Sequence, residues 1–314
     1  MKALVTGGAG FIGSHIVEAL VERGDQVEVQ DNFSLGTHHN LAKVAEEIEE
    51  INGDIRDMEV VRRAMKGVDC VFHQAAASSS FMFKKDLRGA LDTNIQGTLN
   101  ILTAGLEAGV KRVIYASSST IYGNNPIPLR EDLRPMPGNF YAASKMAVEC
   151  LASAFSKEHR LESVGFRYMS IYGPHELGKG PFANVLTQFL LGMKAGKRPV
   201  IYGDGEQARD FTYVKDVVQA NLRASDCPEV LLGEVFNVGQ GKMTTFKEIV
   251  RILNNILGSN IDPEYAPLPI VGYQHHQLAD ITAIGQKLGY QPAYDLEAGI
   301  RDLLASWAVA PSLT

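Results

Sequence analysis

Cysteine is scarce in this chain: Cys70, Cys150 and Cys227 are the only three in 314 residues, far apart and never in a CxxC spacing. An odd, dispersed set builds neither a disulfide framework nor a thiolate metal site, and it fits a reducing compartment. No apolar run approaches the about 18 residues that a membrane-spanning helix requires. Ahead of the first glycine-rich turn stand only Ala3, Leu4 and Val5 as an apolar run, too short for a signal-peptide core. A cytoplasmic protein with no membrane association is therefore expected. Clustered basic residues are missing too. Thirty Lys and Arg against 36 Asp and Glu leave a net charge of −6, so no nucleic-acid partner is expected, because phosphate binding needs a concentrated basic face. The histidines include two adjacent pairs, His38-His39 and His275-His276. Neighbouring side chains diverge on a helix or a strand, so neither pair chelates by spacing and no metal is expected.

What is present is ordinary for a folded protein with a large core: 45% hydrophobic and 21% charged residues. Short, nearly continuous apolar runs at residues 3–6, 27–31, 48–54, 68–73, 113–117 and 163–168 read as strands of a parallel sheet covered on both faces. Helical patterns lie between them. Residues 15–22 carry Ile16, Val17, Leu20 and Val21 on one side, and Gly24 closes that helix. This alternation predicts an α/β fold with a Rossmann-type doubly wound parallel sheet. Past about residue 170 glycine and proline become frequent, which predicts a smaller C-terminal α/β lobe at residues 171–210 and 238–314. Residues 1–170, rejoined by about 211–237, form the first domain in this reading.

Gly7, Gly10 and Gly13 follow the first strand and open the first helix. In that position the first glycine permits a sharp turn and the second lets backbone N–H groups approach a pyrophosphate. The third allows close helix–strand packing, and the helix N-terminus adds partial positive charge. Phe11 and Ile12 belong to the same turn. Asp31 ends the second strand, where a carboxylate accepts hydrogen bonds from ribose hydroxyls and repels a 2′-phosphate. NAD is therefore the expected cofactor, rather than its phosphorylated form. Asp54 and Ile55 end the third strand, where the adenine would lie; a simple strand-end cap is the other reading.

Tyr141 and Lys145 stand four apart, on one face of a helix. A free phenol has a pKa near ~10, and a neighbouring cation is expected to favour its phenolate. The run Ser117-Ser118-Ser119-Thr120 leaves the C-terminal end of another strand, the edge at which open α/β sheets bind ligands.

These motifs, with DNFSLG, GDIRD, VFHQAA, TNIQGT, ASSSTIYG, YAASK, RYMSIYGP, IYGDGEQARDFTYVKDV and ADI followed by LGY, resemble the extended short-chain dehydrogenase/reductase family. More narrowly they resemble its nucleotide-sugar epimerases of the UDP-glucose and UDP-glucuronate 4-epimerase type. The resemblance implies Tyr141 as base, Lys145 as holder of the nicotinamide ribose and Ser118 as partner of Tyr141. It also implies cofactor contacts from Asn32, Ser34, Gly36, Gln74, Ala75, Ala76, Asn94, Ser117 and Tyr168. The implied reaction is NAD-dependent inversion of C4 in a UDP-hexose or UDP-hexuronate, through a 4-keto intermediate. Sugar contacts would come from Ser78, Ser79, Ser118 and Ser170, and nucleotide contacts from Val185, Tyr202 and Arg209, the last pairing with the diphosphate.

Related 4,6-dehydratases carry Asp-Glu directly after the catalytic hydroxyl, where Ser119 and Thr120 stand here; dehydratase is the alternative reaction. A non-enzymatic NAD-binding sensor is a third reading, disfavoured because Tyr141, Lys145 and Ser118 are all kept. Two departures concern the substrate. Ser170 replaces the family's usual Asn, and residues 269–273 lack the arginine that often binds the second phosphate. Helices around 90–108 and 141–158, with Ala142, Ala147, Leu151, Ala152 and Phe155, are expected to pair in a homodimer.

Overall fold

The computed structural model describes residues 1–268 and 274–309. Its centre is a parallel sheet of β1 (Lys2–Thr6), β2 (Gln26–Asp31), β3 (Ile48–Asn52), β4 (Cys70–His73), β5 (Arg112–Ser118) and β6 (Glu162–Tyr168), joined by a later strand. Then come β7 (Ser170–Tyr172), β8 (Val200–Tyr202), β9 (Ala208–Arg209) and β10 (Phe211–Tyr213). They are followed by β11 (Leu232–Val238), β12 (Thr244–Thr245) and β13 (Glu264–Ala266). The seven-stranded order is β11-β6-β5-β4-β1-β2-β3, and every adjacent pair is parallel. Beyond it, β10 pairs with β7, β12 with β9 and β13 with β8. This is the α/β, doubly wound arrangement that the strand–helix alternation predicts. The strand order reverses between β1 and β4, which opens a crevice at the C-terminal edge there.

Successive residues of a strand face opposite sides, and β1 serves two cores accordingly. Ala3 and Val5 pack with Ile16, Val17 and Leu20 of the Phe11–Glu22 helix on one face. Leu4 packs on the other face with Ile101 and Leu102 of the Gly97–Ala108 helix and with Val148 and Ala152 of the Phe140–His159 helix. The first cluster runs on without a break into the C-terminal region, through Phe189, Leu190, Phe246, Leu253, Ile300 and Leu303. Of the apolar residues expected at a dimer face, Ala142 and Ala152 are instead fully buried in the chain's own core, and Leu151 and Phe155 pack against it.

Some element bounds differ from those read in the sequence. The first helix begins at Phe11 rather than near residue 15, because Gly10 ends the turn and its extended φ/ψ lets the helix start at once. The third strand stops at Asn52 and the fourth starts at Cys70. Asp54 is withdrawn from the ladder by its bonds to Arg56 and Asn32.

Arg112 ties β5 to the connection between the Val214–Asp226 helix and β11. Its side chain is 2% exposed. It pairs with Glu162 and donates to the carbonyls of Ala224 at 2.5 Å, Cys227 at 3.0 Å and Glu229 at 2.9 Å. Arg112→Ala strands those carbonyls and leaves the half-buried Glu162 carboxylate unpaired, and it is expected to lower unfolding free energy by about 3 kcal/mol. Urea denaturation would measure the loss.

Candidate active site

One cavity runs along the C-terminal edge of the sheet, and its wall begins at the glycine turn. Gly7 sits at φ +68°, and a Cβ there would lie 2.6 Å from Ala75 N. A Cβ on Gly13 would collide with the Gly7 carbonyl oxygen. Glycine is thus required at both positions by backbone approach. The N-cap Gly10 offers no side-chain bond to the helix, and the first-turn N–H groups of any helix lack intrahelical acceptors. They border the cavity through Phe11, Ile12 and Gly13, a cradle suited to a pyrophosphate.

Asp31 borders the same cavity, and its carboxylate accepts from Ala9 N at 3.0 Å and Phe33 N at 2.8 Å. Burial pushes its carboxyl up, against those backbone donors. Gly36 brings the loop after β2 against the glycine turn: a Cβ there would lie 2.8 Å from the Ala9 carbonyl carbon, and Thr37 N donates to Ala9 O at 3.1 Å. Asn32 donates to Asp54 at 2.8 Å. Asp54, gripped by the Arg56 guanidinium, is held down at about 2. It therefore remains an acceptor at neutral pH. Asn32, Ser34, Asp54 and Ile55 all line the cavity. So do Gln74, Ala75, Ala76 and Ser78, which follow β4, and Tyr168, which ends β6. The phenol of Tyr168 accepts from Asn221 at 2.9 Å and donates to Gln74 at 3.2 Å.

The Phe140–His159 helix, N-capped by Asn139, brings Tyr141 and Lys145 to the end of β5. Tyr141 is half-buried, edge-on to Phe83 at 5.9 Å between centroids, and its phenol faces the Ser118 hydroxyl. Ser118 also accepts from Thr120 N at 3.2 Å and Thr120 Oγ1 at 2.9 Å. Lys145 is buried and donates to the Ala116 carbonyl at 2.8 Å.

The expected lowering of the phenol by Lys145 is not seen. Burial pushes Tyr141 up, opposed by Ser118, and the Lys145 ammonium donates to the Ala116 carbonyl rather than to the phenol. Burial also pulls Lys145 down to about 8, opposed by the Glu149 carboxylate.

Asn94 does not line the cavity. It braces it from behind, donating to Ala77 O at 3.2 Å and Ser144 Oγ at 2.9 Å and accepting from Ala77 N at 2.7 Å. Its neighbour Thr93, in the π-helical turn Asp92–Gln96, does reach the cavity.

The residues expected at the nucleotide and sugar are more scattered, and only Ser78 and Ser118 border the cavity. The buried Ser79 hydroxyl has no hydrogen-bond partner among the described residues. Ser170 donates to Gln277 at 3.0 Å. Val185 opens the Val185–Lys194 helix, and Tyr202, at the end of β8, is half-exposed. Arg209 donates to the carbonyls of Ala208 at 2.9 Å and His275 at 3.1 Å. Residues 269–273, where the family's second arginine is missing, lie outside the described residues.

The cavity-lining residues that the sequence reading does not single out include His175 and Lys179. His175, at φ +66°, stacks on His15 with centroids 4.6 Å apart and shares a hydrogen bond with Ser14 at 2.9 Å. Burial holds it neutral, at about 3. Lys179 lies 4.4 Å from the Phe11 ring centroid and 3.7 Å from the buried Glu176 carboxylate. Their only mark in the sequence is a Glu and a Lys three apart in a glycine-rich loop. Among the described residues no group of His, Cys, Asp and Glu could hold a metal, and no helix is long and apolar enough to cross a membrane.

Comparison with known proteins agrees with this geometry. Residues 3–239 match the NAD dependent epimerase/dehydratase family. A putative UDP-glucose 4-epimerase of Methanocaldococcus jannaschii is 35% identical over 95% of both chains. The UDP-N-acetylglucosamine 4-epimerase of Methanobrevibacter ruminantium, solved with UDP-N-acetylmuramic acid, is 35% identical over 98% of each chain with a TM-score of 0.92. A UDP-glucose 4-epimerase of Thermus thermophilus, solved with NAD, is 32% identical over 99% of this chain and 100% of its own, with a TM-score of 0.88.

Gly13→Ala is expected to push the turn open and weaken NAD binding at least tenfold without unfolding the protein. Titration calorimetry with NAD, beside a thermal melt, checks both halves.

Proposed function

The chain belongs to the NAD-dependent epimerase/dehydratase family, and on that premise we propose that it inverts C4 of a UDP-hexose or UDP-hexuronate. The observation that carries this reading is the convergence of Ser118, Tyr141 and Lys145 on the cavity that the glycine turn opens. NAD, when bound, supplies a hydride acceptor that returns the hydride to the opposite face, and a positive ring whose field favours the Tyr141 phenolate. Tyr141 takes the proton from the C4 hydroxyl and gives it back after the 4-keto sugar has turned over. Ser118 holds the same oxygen by a hydrogen bond. Lys145 holds the nicotinamide ribose, and Asp31 the adenosine ribose. No net oxidation results, so the cofactor stays bound between turnovers.

Hydroxyls at 119 and 120 favour epimerisation over the 4,6-dehydratase alternative. Elimination of water needs an acid and a base there. Ser119 instead accepts from Gln277 Nε2 at 2.5 Å, and Thr120 donates to Ser118. For the substrate we assign Ser78, Ser79 and Ser170 to the sugar and Val185, Tyr202 and Arg209 to the nucleotide. The diphosphate suits a guanidinium. Residues 1–170 with 211–237 are assigned to the cofactor, and 171–210 with 238–314 to the nucleotide sugar. A cytoplasmic location fits the dispersed cysteines.

Incubation with UDP-, dTDP-, GDP-, ADP- and CDP-sugars, without added NAD, is expected to yield a C4 stereoisomer of a UDP-sugar. A dehydrated 4-keto product would overturn the reaction assigned. Tyr141→Phe is expected to lower kcat by about 10²–10⁴-fold while leaving NAD binding intact. A homodimer through the Gly97–Ala108 and Phe140–His159 helices is inferred as well, with Leu106, Phe140 and Cys150 exposed on them. Light scattering should give twice the chain mass, and a monomer at micromolar concentration would remove that inference.

A further inference from the structure

Glu149 has no part in the chemistry assigned above, yet it binds the residue next to Ser118 and shares a helix face with Lys145. It stands four residues after Lys145 on the Phe140–His159 helix, so both side chains leave the same face. That face meets the end of β5 at two successive residues. Lys145 holds the Ala116 carbonyl, and the Ser117 hydroxyl donates to Glu149 Oε1 at 2.5 Å. Ser118 is the next residue along. On β6, Arg167 stands opposite Ser117 in the ladder and closes on the carboxylate from the other side, Nε to Oε1 at 3.0 Å and Nη2 to Oε2 at 2.8 Å. Arg167 in turn donates to the Tyr122 phenol at 2.9 Å, which donates to Asn237 at 2.7 Å.

We propose, resting on the reading of Ser118, Tyr141 and Lys145 above, that Glu149 is a positioning residue for that trio. Its charge keeps Lys145 an ammonium, and its bond to Ser117 fixes the strand end from which Ser118 projects. A buried lysine loses its proton readily, since burial disfavours the charged form, and Lys145 is already drawn down to about 8. Glu149 is the charge that opposes this. The other titratable or charged groups facing the pair are Tyr141 on the same helix, His73 on β4, Tyr115 on β5 and Arg167 on β6. His73 is held neutral, at about 3. Arg167 therefore loses its paired carboxylate when Glu149 loses its charge, keeping the Coulombic pull of Glu131, and its field then adds to the burial of Lys145. Both effects drive the ammonium the same way, toward deprotonation at lower pH.

The test uses the whole protein labelled with ¹³C at the lysine Cε carbons, with neither sugar nor turnover required. Glu149→Gln keeps the shape and removes the charge. The Lys145 resonance is expected to titrate about one pH unit lower than in the wild type, and the alkaline limb of kcat to move down with it. Glu149→Asp keeps the charge and shortens the reach. It should leave the Lys145 midpoint at its wild-type value while lowering kcat across the whole pH range, because the Ser117 bond is lost. Equal midpoints in wild type and Glu149→Gln, both folded by thermal melt, overturn the proposal. So does a shift in Glu149→Asp as large as that in Glu149→Gln. Should the Gln variant fail to fold, a Glu149→Asp midpoint displaced from the wild-type value overturns it alone. Because the resonance is read without substrate, a wild type inactive on every sugar with the expected midpoints would sink the reaction and leave the Glu149–Lys145 coupling standing.

Discussion

A polar group buried at the rim of a parallel sheet must find a partner or be expelled. The architecture of this site follows from that demand. The ends of β5 and β6 carry Ser117, Ser118 and Arg167, and the helix facing them carries Ser144, Lys145 and Glu149, all buried. Each satisfies another: lysine with a strand carbonyl, carboxylate with serine and guanidinium, the Ser144 hydroxyl with the helix's own Tyr141 carbonyl at 2.7 Å. What results is a rigid polar seam between one helix and two strands, and the phenol and hydroxyl at its mouth inherit that rigidity. Precision of this kind is what proton transfer to a sugar oxygen requires.

Much of this was legible in the sequence because it depends on local rules. Glycines at 7, 10 and 13 announce a turn that only glycine can make, and the structure shows backbone atoms where side chains would otherwise stand. Tyr141 and Lys145 share a helix face by simple spacing. The doubly wound sheet could be foreseen from alternation alone, and with it a ligand edge at the strands' C-terminal ends. The acid that ends β2 falls at the cavity for the same reason.

The rest depended on contacts between distant parts of the chain. His175 and Lys179 reach the glycine turn only because the loop after β7 folds back over the first helix, and no periodicity in residues 173–182 records that. Asn94 is held behind the cavity by bonds to Ala77 and Ser144, which the motif around it does not record. Spacing puts Lys145 near Tyr141, but it cannot reveal that the ammonium donates to the Ala116 carbonyl or that burial dominates the phenol. Arg209 shows the same limit. Its type suits a diphosphate, while spacing cannot record that it also donates to the Ala208 and His275 carbonyls.

The place of β11 in the sheet bears on how the molecule comes into being. That strand covers the outer flank of β6, yet it begins only at Leu232, after the excursion through β7 to β10. A nascent polypeptide emerging from the ribosome therefore completes six strands with one flank bare, and bare strand edges invite pairing with other chains. Until residues 232–238 have been synthesised and have threaded back alongside β6, the half-made protein is exposed to association. The interval during synthesis when it most needs a chaperone's shelter is thus written into the order of its strands.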